Sequence, residues 1–267
     1  MSKHNVMKRL AGKTALVTGA SAGIGRATAL ALAEAGADIA LNYLTYPDAA
    51  EETAEQIRRL GRRVLLYPVD VADQPSVEQM VKDAAAQFGR LDILVANAAY
   101  SDEVFFYDAD MSGFRRTVDV TLWGAFYCLR AAANHMVRKA QGGNLVVIGS
   151  IHAVEAIPTS MAYNMAKAAL DQMARTAALE LARHRIRVNI VYPGWTDTPG
   201  ERKYFSEEVL QRAGAALPLG RLARAEEIAR GVLFLVDPAS EYVTGSTLAI
   251  DGGTQLPYWS GRGRGEF

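Results

Sequence analysis

Tyr163 and Lys167 stand four residues apart in a run with helical apolar spacing, so both side chains emerge on one face of a helix. A tyrosine with its ordinary pKa of about 10 is a poor base at neutral pH. An ammonium beside it favours the phenolate, and such a pair suits moving a proton to or from a substrate oxygen. The Tyr-x-x-x-Lys spacing alone is common helix decoration, so it needs a second element of the same site. One lies near the start, where KTALVTGA leads into Gly19-Ala20-Ser21-Ala22-Gly23-Ile24-Gly25 and then an Ala-rich segment. Glycines there let the backbone turn tightly and approach a pyrophosphate, which sits on the free N–H groups of a helix N-terminus.

The elements that must position these residues alternate along the chain. Strands are expected at Thr14–Thr18, Ile39–Tyr43, Val64–Val69, Ile93–Ala96, Leu145–Ile148, Val188–Val191 and Thr247–Ile250. Several are unbroken apolar runs, as in parallel strands covered on both faces. Helices are expected at Gly25–Ala35, Asp48–Leu60, Pro75–Phe88, Ser112–Lys139, Ser160–Arg183 and Ala225–Leu235. Asp73 before Pro75 marks a helix start, and Gly36, Gly61 and Gly89 mark stops. Strand–helix repetition predicts an α/β fold: one Rossmann-like, doubly wound parallel sheet of about seven strands with helices on both faces. Trp195–Gly220 is the one long connection without a clear strand, the kind of segment that often forms a lid or binding loop.

Composition bounds the setting. The 267 residues carry 29 Lys+Arg against 29 Asp+Glu, half are hydrophobic, and Cys128 is the single cysteine. Zero net charge gives no reason to expect nucleic acid or an anionic membrane as partner. One cysteine permits no internal disulfide and fits a reducing compartment. No apolar run approaches the roughly 20 residues of a membrane span, and the basic N-terminus lacks the apolar stretch of a signal peptide. A cytoplasmic protein with a small-molecule substrate is expected. The division expected is an extension at 1–12, one domain at 13–253 and a tail at 254–267. His4, His135 and His184 have no metal-ligand spacing, and no metal is expected.

The glycine spacing Gly19-x-x-x-Gly23-x-Gly25, with the residues around it, resembles the short-chain dehydrogenase/reductase family. Asp70-Val71 matches the family's adenine-contacting pair after the third strand. Ala96-Asn97-Ala98-Ala99 stands for its Asn-Asn-Ala-Gly, Ser150 for its serine after the fifth strand, and Pro193-Gly194 with Thr196 and Thr198 for its segment after the sixth. Asp251-Gly252-Gly253 closes the pattern, so the resemblance runs from about Lys13 to Gly253. It implies an NAD(P)-dependent oxidoreductase. Tyr163 would be the general acid/base, Lys167 would lower its pKa and bond the nicotinamide ribose, and Ser150 would hold the substrate oxygen. It also implies cofactor contacts at Gly19, Ser21, Ala22, Gly23, Ile24, Gly25, Asn97, Ala98, Ala99, Pro193, Gly194, Thr196 and Thr198. Thr121 occupies the place of a family asparagine that holds a water in the proton relay. Threonine has a shorter reach, and Thr121 is expected as a relay member through a different water arrangement.

Cofactor choice turns on the end of the second strand, where Asn42-Tyr43 offers neither an acid for ribose hydroxyls nor an arginine for a 2′-phosphate. Tolerance of NAD and NADP is expected, leaning to NADP because nothing repels the phosphate. His152, Glu155 and Trp195 are candidate pocket residues beside Ser150 and Tyr163; a polar lining suits a sugar or polyol, as in the glucose and ribitol dehydrogenase branch. The rivals are a 3-oxoacyl-thioester reductase and a non-catalytic dinucleotide sensor. Tyr100, Phe105, Phe106 and Tyr107 are either pocket wall or core, and Cys128 is packing. Leu122, Trp123, Phe126, Tyr127 and Leu129 give the Ser112–Lys139 helix more than one apolar face, and the resemblance implies a homotetramer paired through it and the Ser160–Arg183 helix.

Overall fold

The computed structural model describes residues 8–256. The expected tail beyond Leu256 and the extension before Lys8, with His4, lie outside the described residues. Seven strands form one sheet: β1 (Thr14–Val17), β2 (Asp38–Tyr43), β3 (Val64–Pro68), β4 (Ile93–Ala96), β5 (Gly143–Ile148), β6 (Ile186–Pro193) and, last in sequence, Thr247–Ile250. Two short strands intervene, β7 (Thr196–Asp197) and β8 (Ala223–Arg224), which makes Thr247–Ile250 β9. The sheet order is β3-β2-β1-β4-β5-β6-β9, and every pairing is parallel. β1, β4 and the middle of β5 are buried on both faces, which is why their sequences read as unbroken Val, Leu, Ile and Ala.

Helices α1 (Gly23–Glu34), α2 (Pro47–Arg59) and α8 (Ala225–Val236) cover one face, where Leu32, Ile57 and Ile228 meet Val17, Ile39 and Ile93. The other face is covered by α3 (Gln74–Phe88), α5 (Ala125–Lys139) and α6 (Met161–Leu181), which bring Met80, Cys128 and Leu170 onto Leu16, Leu94 and Leu145. Each fully buried Leu or Ile contributes about 1.5–3 kcal/mol. Cys128 is packing here: burial pushes its thiol up to about 12, far from a reactive thiolate.

Punctuation follows the sequence. The Asp73 carboxylate accepts from the Ser76 amide and caps α3, and Gly36, Gly61 and Gly89 take the positive φ that ends each preceding helix. Two elements depart from it. The expected single helix Ser112–Lys139 is α4 (Met111–Val118), a π-helical turn at Asp119–Gly124, and α5. The extra residue of such a turn is invisible to a 3.6-residue apolar pattern. Gly124 lies so close to Val71 that a Cβ there would stand 2.6 Å from Val71 Cγ2. The long connection Trp195–Gly220 also holds an element that strand signals do not reveal, α7 (Glu207–Ala216), started by Ser206 accepting from the Val209 amide.

The sheet order reverses between β1 and β4, opening a crevice at the carboxyl ends of the strands. Asn42 braces its floor. Its Nδ2 donates to Tyr67 O at 3.1 Å and Val69 O at 2.8 Å, and its Oδ1 accepts from the Gly19 amide at 3.3 Å. The side chain is 1% exposed, so the expectation that Asn42 is a cofactor ligand is corrected: its polar atoms are spent holding β1, β2 and β3 together. Asn42→Leu strands those groups, and we expect a loss of about 2–4 kcal/mol in urea unfolding.

Candidate active site

The glycine turn is shaped by contacts that leave room for nothing larger. Gly19 and Gly23 adopt positive φ. A Cβ on Gly25 would collide with the Gly19 carbonyl oxygen and stand 2.5 Å from Asn97 Nδ2. Asn97 fastens the turn from β4: its Nδ2 donates to Thr18 O at 2.9 Å and Gly19 O at 3.2 Å. Thr18 Oγ1 in return accepts from the amides of Asn97 and Ala98. Ser21 donates to Thr45 O at 3.1 Å. Ala22 precedes α1 with no side-chain cap, leaving the first amides of the helix, at Gly23 and Ile24, free for an anion. Thr198 stands over this turn, since a Cβ on Gly23 would lie 3.2 Å from its methyl.

The other expected cofactor residues rim the same crevice. Asp70 pairs with Arg116 Nη2 at 2.8 Å and accepts from the Ala72 amide, and Val71 is buried beneath it. Ala98 and Ala99 follow β4, and Tyr43 is half-buried at the end of β2. Gly194 packs on the Asp251 backbone, and Thr196, buried, donates to Gly194 O. An uncapped helix start and a turn closed so tightly that Gly25 admits no Cβ together suit a dinucleotide.

Ser150, Tyr163 and Lys167 converge at the far end. Lys167 is 2% exposed and donates from Nζ to Ile148 O at 2.7 Å. Its Nζ also lies 5.2 Å from the Tyr163 ring centroid. Burial pushes its ammonium down to about 7. The Tyr163 phenol goes the other way. Burial raises it, and the Glu201 carboxylate adds to the rise, against a hydrogen bond from Ser150 that opposes it. Lys167 does not offset this rise, its ammonium being itself buried and bonded to Ile148 O.

Thr121 requires a second correction. It is fully buried, donates its one proton to Tyr100 O at 2.8 Å and accepts from the Tyr100 amide at 3.0 Å. A hydroxyl committed twice to one peptide clamps the loop after β4 to the π-helical turn, and it has no proton for a relay.

Several pocket residues are placed by contacts that the sequence does not announce. His152 Nδ1 is 2.7 Å from Asn164 Oδ1, and its ring meets Tyr163 edge-on with centroids 5.1 Å apart. Trp195 donates to Glu201 at 2.7 Å and packs on Phe205. Tyr204 donates to Ser101 O, joining this loop to the segment after β4. Phe105, Phe106 and Tyr107 are exposed beside the Val104–Ser160 bridge, so they form rim rather than core. Glu155 is half-buried near Asp251, which with desolvation raises its carboxyl. Asn164 and Glu201 were not foreseen; an amide next to Tyr163 was the one available signal.

Comparison with known proteins agrees with this geometry. The profile of a family described as enoyl-(acyl carrier protein) reductase matches residues 19–255. The chain is 38% identical to L-rhamnose 1-dehydrogenase (NAD(P)(+)) of a Sphingomonas strain, over 92% of this chain and 98% of that one. It is 35% identical to 3-oxoacyl-[acyl-carrier-protein] reductase of a Synechocystis strain, over 92% and 98%. The solved structure of a short-chain type dehydrogenase/reductase from Mycobacterium marinum superposes with a TM-score of 0.86 at 35% identity, covering 94% of this chain and 98% of that one.

Lys167 makes a stability test of the buried charge. Its folded pKa lies below the unfolded one, so the cost of burying the ammonium is fully present below about pH 7. That cost fades as pH rises toward about 10.4, where the unfolded group also loses its proton. Lys167→Met is therefore expected to gain thermal stability relative to the cofactor-free wild type at pH 6.5 compared with pH 10, in paired melting curves.

Proposed function

Since the chain belongs to the short-chain dehydrogenase/reductase family, whose members act as oxidoreductases with a nicotinamide cofactor, we propose that Ser150, Tyr163 and Lys167 interconvert an alcohol and a carbonyl on a sugar or polyol. The observation that carries the reading is the convergence of these three groups at one end of a crevice whose other end is built for a pyrophosphate. When bound, the nicotinamide supplies or accepts the hydride and, in its oxidised form, adds positive charge at this end. Gly19 to Gly25 and the start of α1 would hold the pyrophosphate, Asp70 and Val71 the adenine, and Pro193 to Thr198 the part between.

Ser150 donates toward the substrate oxygen and fixes it beside Tyr163. Tyr163 takes the proton of an alcohol or returns one to a nascent alkoxide. Lys167, anchored on Ile148 O and 5.2 Å from the Tyr163 ring centroid, would stabilise a phenolate and bond the cofactor ribose. With Asn42 withdrawn into the sheet, Tyr43 and the exposed Leu44 leave the ribose end without charge, which supports use of both NAD and NADP with a lean to NADP. The L-rhamnose dehydrogenase likeness and the His152 and Glu201 lining favour a polyhydroxylated substrate over an acyl thioester.

Among the described residues no helix is long and apolar enough to cross a membrane, and a cytoplasmic site of action goes with this chemistry. Two separate exposed apolar faces support a homotetramer. One holds Trp123, Met165 and Leu179 on the π-helical turn and α6; the other holds Phe234 on α8 and, beyond it, Tyr242. Two unlike faces give the two interfaces of a dihedral tetramer.

Two experiments follow. With L-rhamnose, D-glucose and an acetoacetyl thioester as a panel, turnover read at the reduced nicotinamide band is expected for a sugar. Tyr163→Phe is expected to lower kcat by at least about a thousandfold while cofactor affinity holds. Activity on the thioester alone would replace the sugar reading by its rival, and full activity of Tyr163→Phe would refute the assignment. Leu179→Glu combined with Met165→Glu is expected to halve the wild-type particle mass in light scattering.

A further inference from the structure

Asn164, next to Tyr163, settles how the neighbouring histidine presents itself. Its Nδ2 donates to Ile157 O at 2.9 Å. With the amide nitrogen so fixed, Oδ1 is the atom facing His152 Nδ1 at 2.7 Å, and an amide oxygen only accepts. The proton of that bond therefore sits on His152 Nδ1. A neutral imidazole carries one N–H, so Nε2 is left as a bare lone pair, and it has no protein partner among the described residues. The ring is held edge-on to Tyr163 with centroids 5.1 Å apart, and its first backbone contact is with the oxygen anchor: the His152 amide donates to Ser150 Oγ. Burial and the Lys167 ammonium both disfavour a second proton, which keeps Nε2 an acceptor.

We propose that the Ile157–Asn164–His152 chain is a specificity device in which His152 Nε2 accepts a hydrogen bond from a hydroxyl on the carbon adjacent to the reacting carbinol. The inference rests on the dehydrogenase reading above and narrows its substrate class to alcohols with a neighbouring hydroxyl, as in a 1,2-diol or an aldose oxidised beside its C2 hydroxyl. A vicinal oxygen lies about one hydrogen-bond length from its carbinol oxygen, and the His152 ring stands against Tyr163 with centroids 5.1 Å apart. A site built to accept a hydroxyl proton discriminates against the analogue that lacks it, because the acceptor then loses its partner. Asn164 touches no substrate in this account; it is a positioning residue.

The test compares D-glucose with 2-deoxy-D-glucose and trans-1,2-cyclohexanediol with cyclohexanol, each pair differing at the hydroxyl in question. The holoenzyme is assayed as wild type, His152→Leu and Asn164→Leu. Nitrogen-15 spectra of the imidazole, assigned by the loss of a signal in His152→Leu, give the tautomer independently of turnover. The expected result is a pyrrole-type Nδ1 and pyridine-type Nε2 at neutral pH. In kcat/KM, the ratio of the hydroxylated to the lacking partner is expected to fall about tenfold in either variant. Equal loss on both partners would mark His152 and Asn164 as structural only and overturn the proposal, as would a protonated Nε2. Turnover of no alcohol in either pair would overturn the dehydrogenase reading itself, whatever the spectra show.

Discussion

The burial of one ammonium organises the reacting end of this molecule. Lys167 has almost no contact with solvent, and the Ile148 carbonyl is its hydrogen-bond partner in the cofactor-free chain. That bond ties α6 to the end of β5, so Tyr163, one turn earlier on the helix, and Ser150, two residues beyond the strand, arrive together. A buried charge is costly, and burial accordingly pushes this ammonium down to about 7. The chain carries it because the group is useful there, the usual relation between a strained site and a stable scaffold.

The phosphate end is organised by the opposite means, neutral hydrogen bonds between backbone and short polar side chains. Thr18, Asn42 and Asn97 together engage the glycine turn from three strands. They leave the turn rigid and its helix amides uncommitted. Between the two ends the loop from Pro193 to Phe205 bridges the crevice, with Thr198 over the glycine turn and Glu201 within electrostatic reach of Tyr163.

Legibility in the sequence followed the physics of each signal. The inner strands of the sheet are buried apolar runs, readable at Val17, Ile39 or Val95 from neighbouring residues alone, while the edge strands β3 and β9 are only partly buried. Ser150, Tyr163 and Lys167 were expected from the family resemblance, and the fold brings the three to one end of the crevice. Asn42, Thr121 and Asn164 were misread or unseen for one reason: each is a short polar side chain whose partner is a distant backbone group, and no local pattern encodes such a partner. Asn42 therefore looked like a ribose ligand and proved a brace, and Thr121 looked like a relay and proved a clamp. The π-helical turn beside Thr121 escaped the same way, since one added residue leaves the apolar count unchanged.

Burial and Glu201 hold the proton on Tyr163, and the positive charge of an oxidised nicotinamide, when bound, would favour its release. Ultraviolet titration of the tyrosinate band, taken as wild type minus Tyr163→Phe with and without saturating oxidised cofactor, reads this directly. The free enzyme should ionise above the ordinary tyrosine value of about 10, and the loaded enzyme well below it. One and the same titration curve in both states would contradict the account.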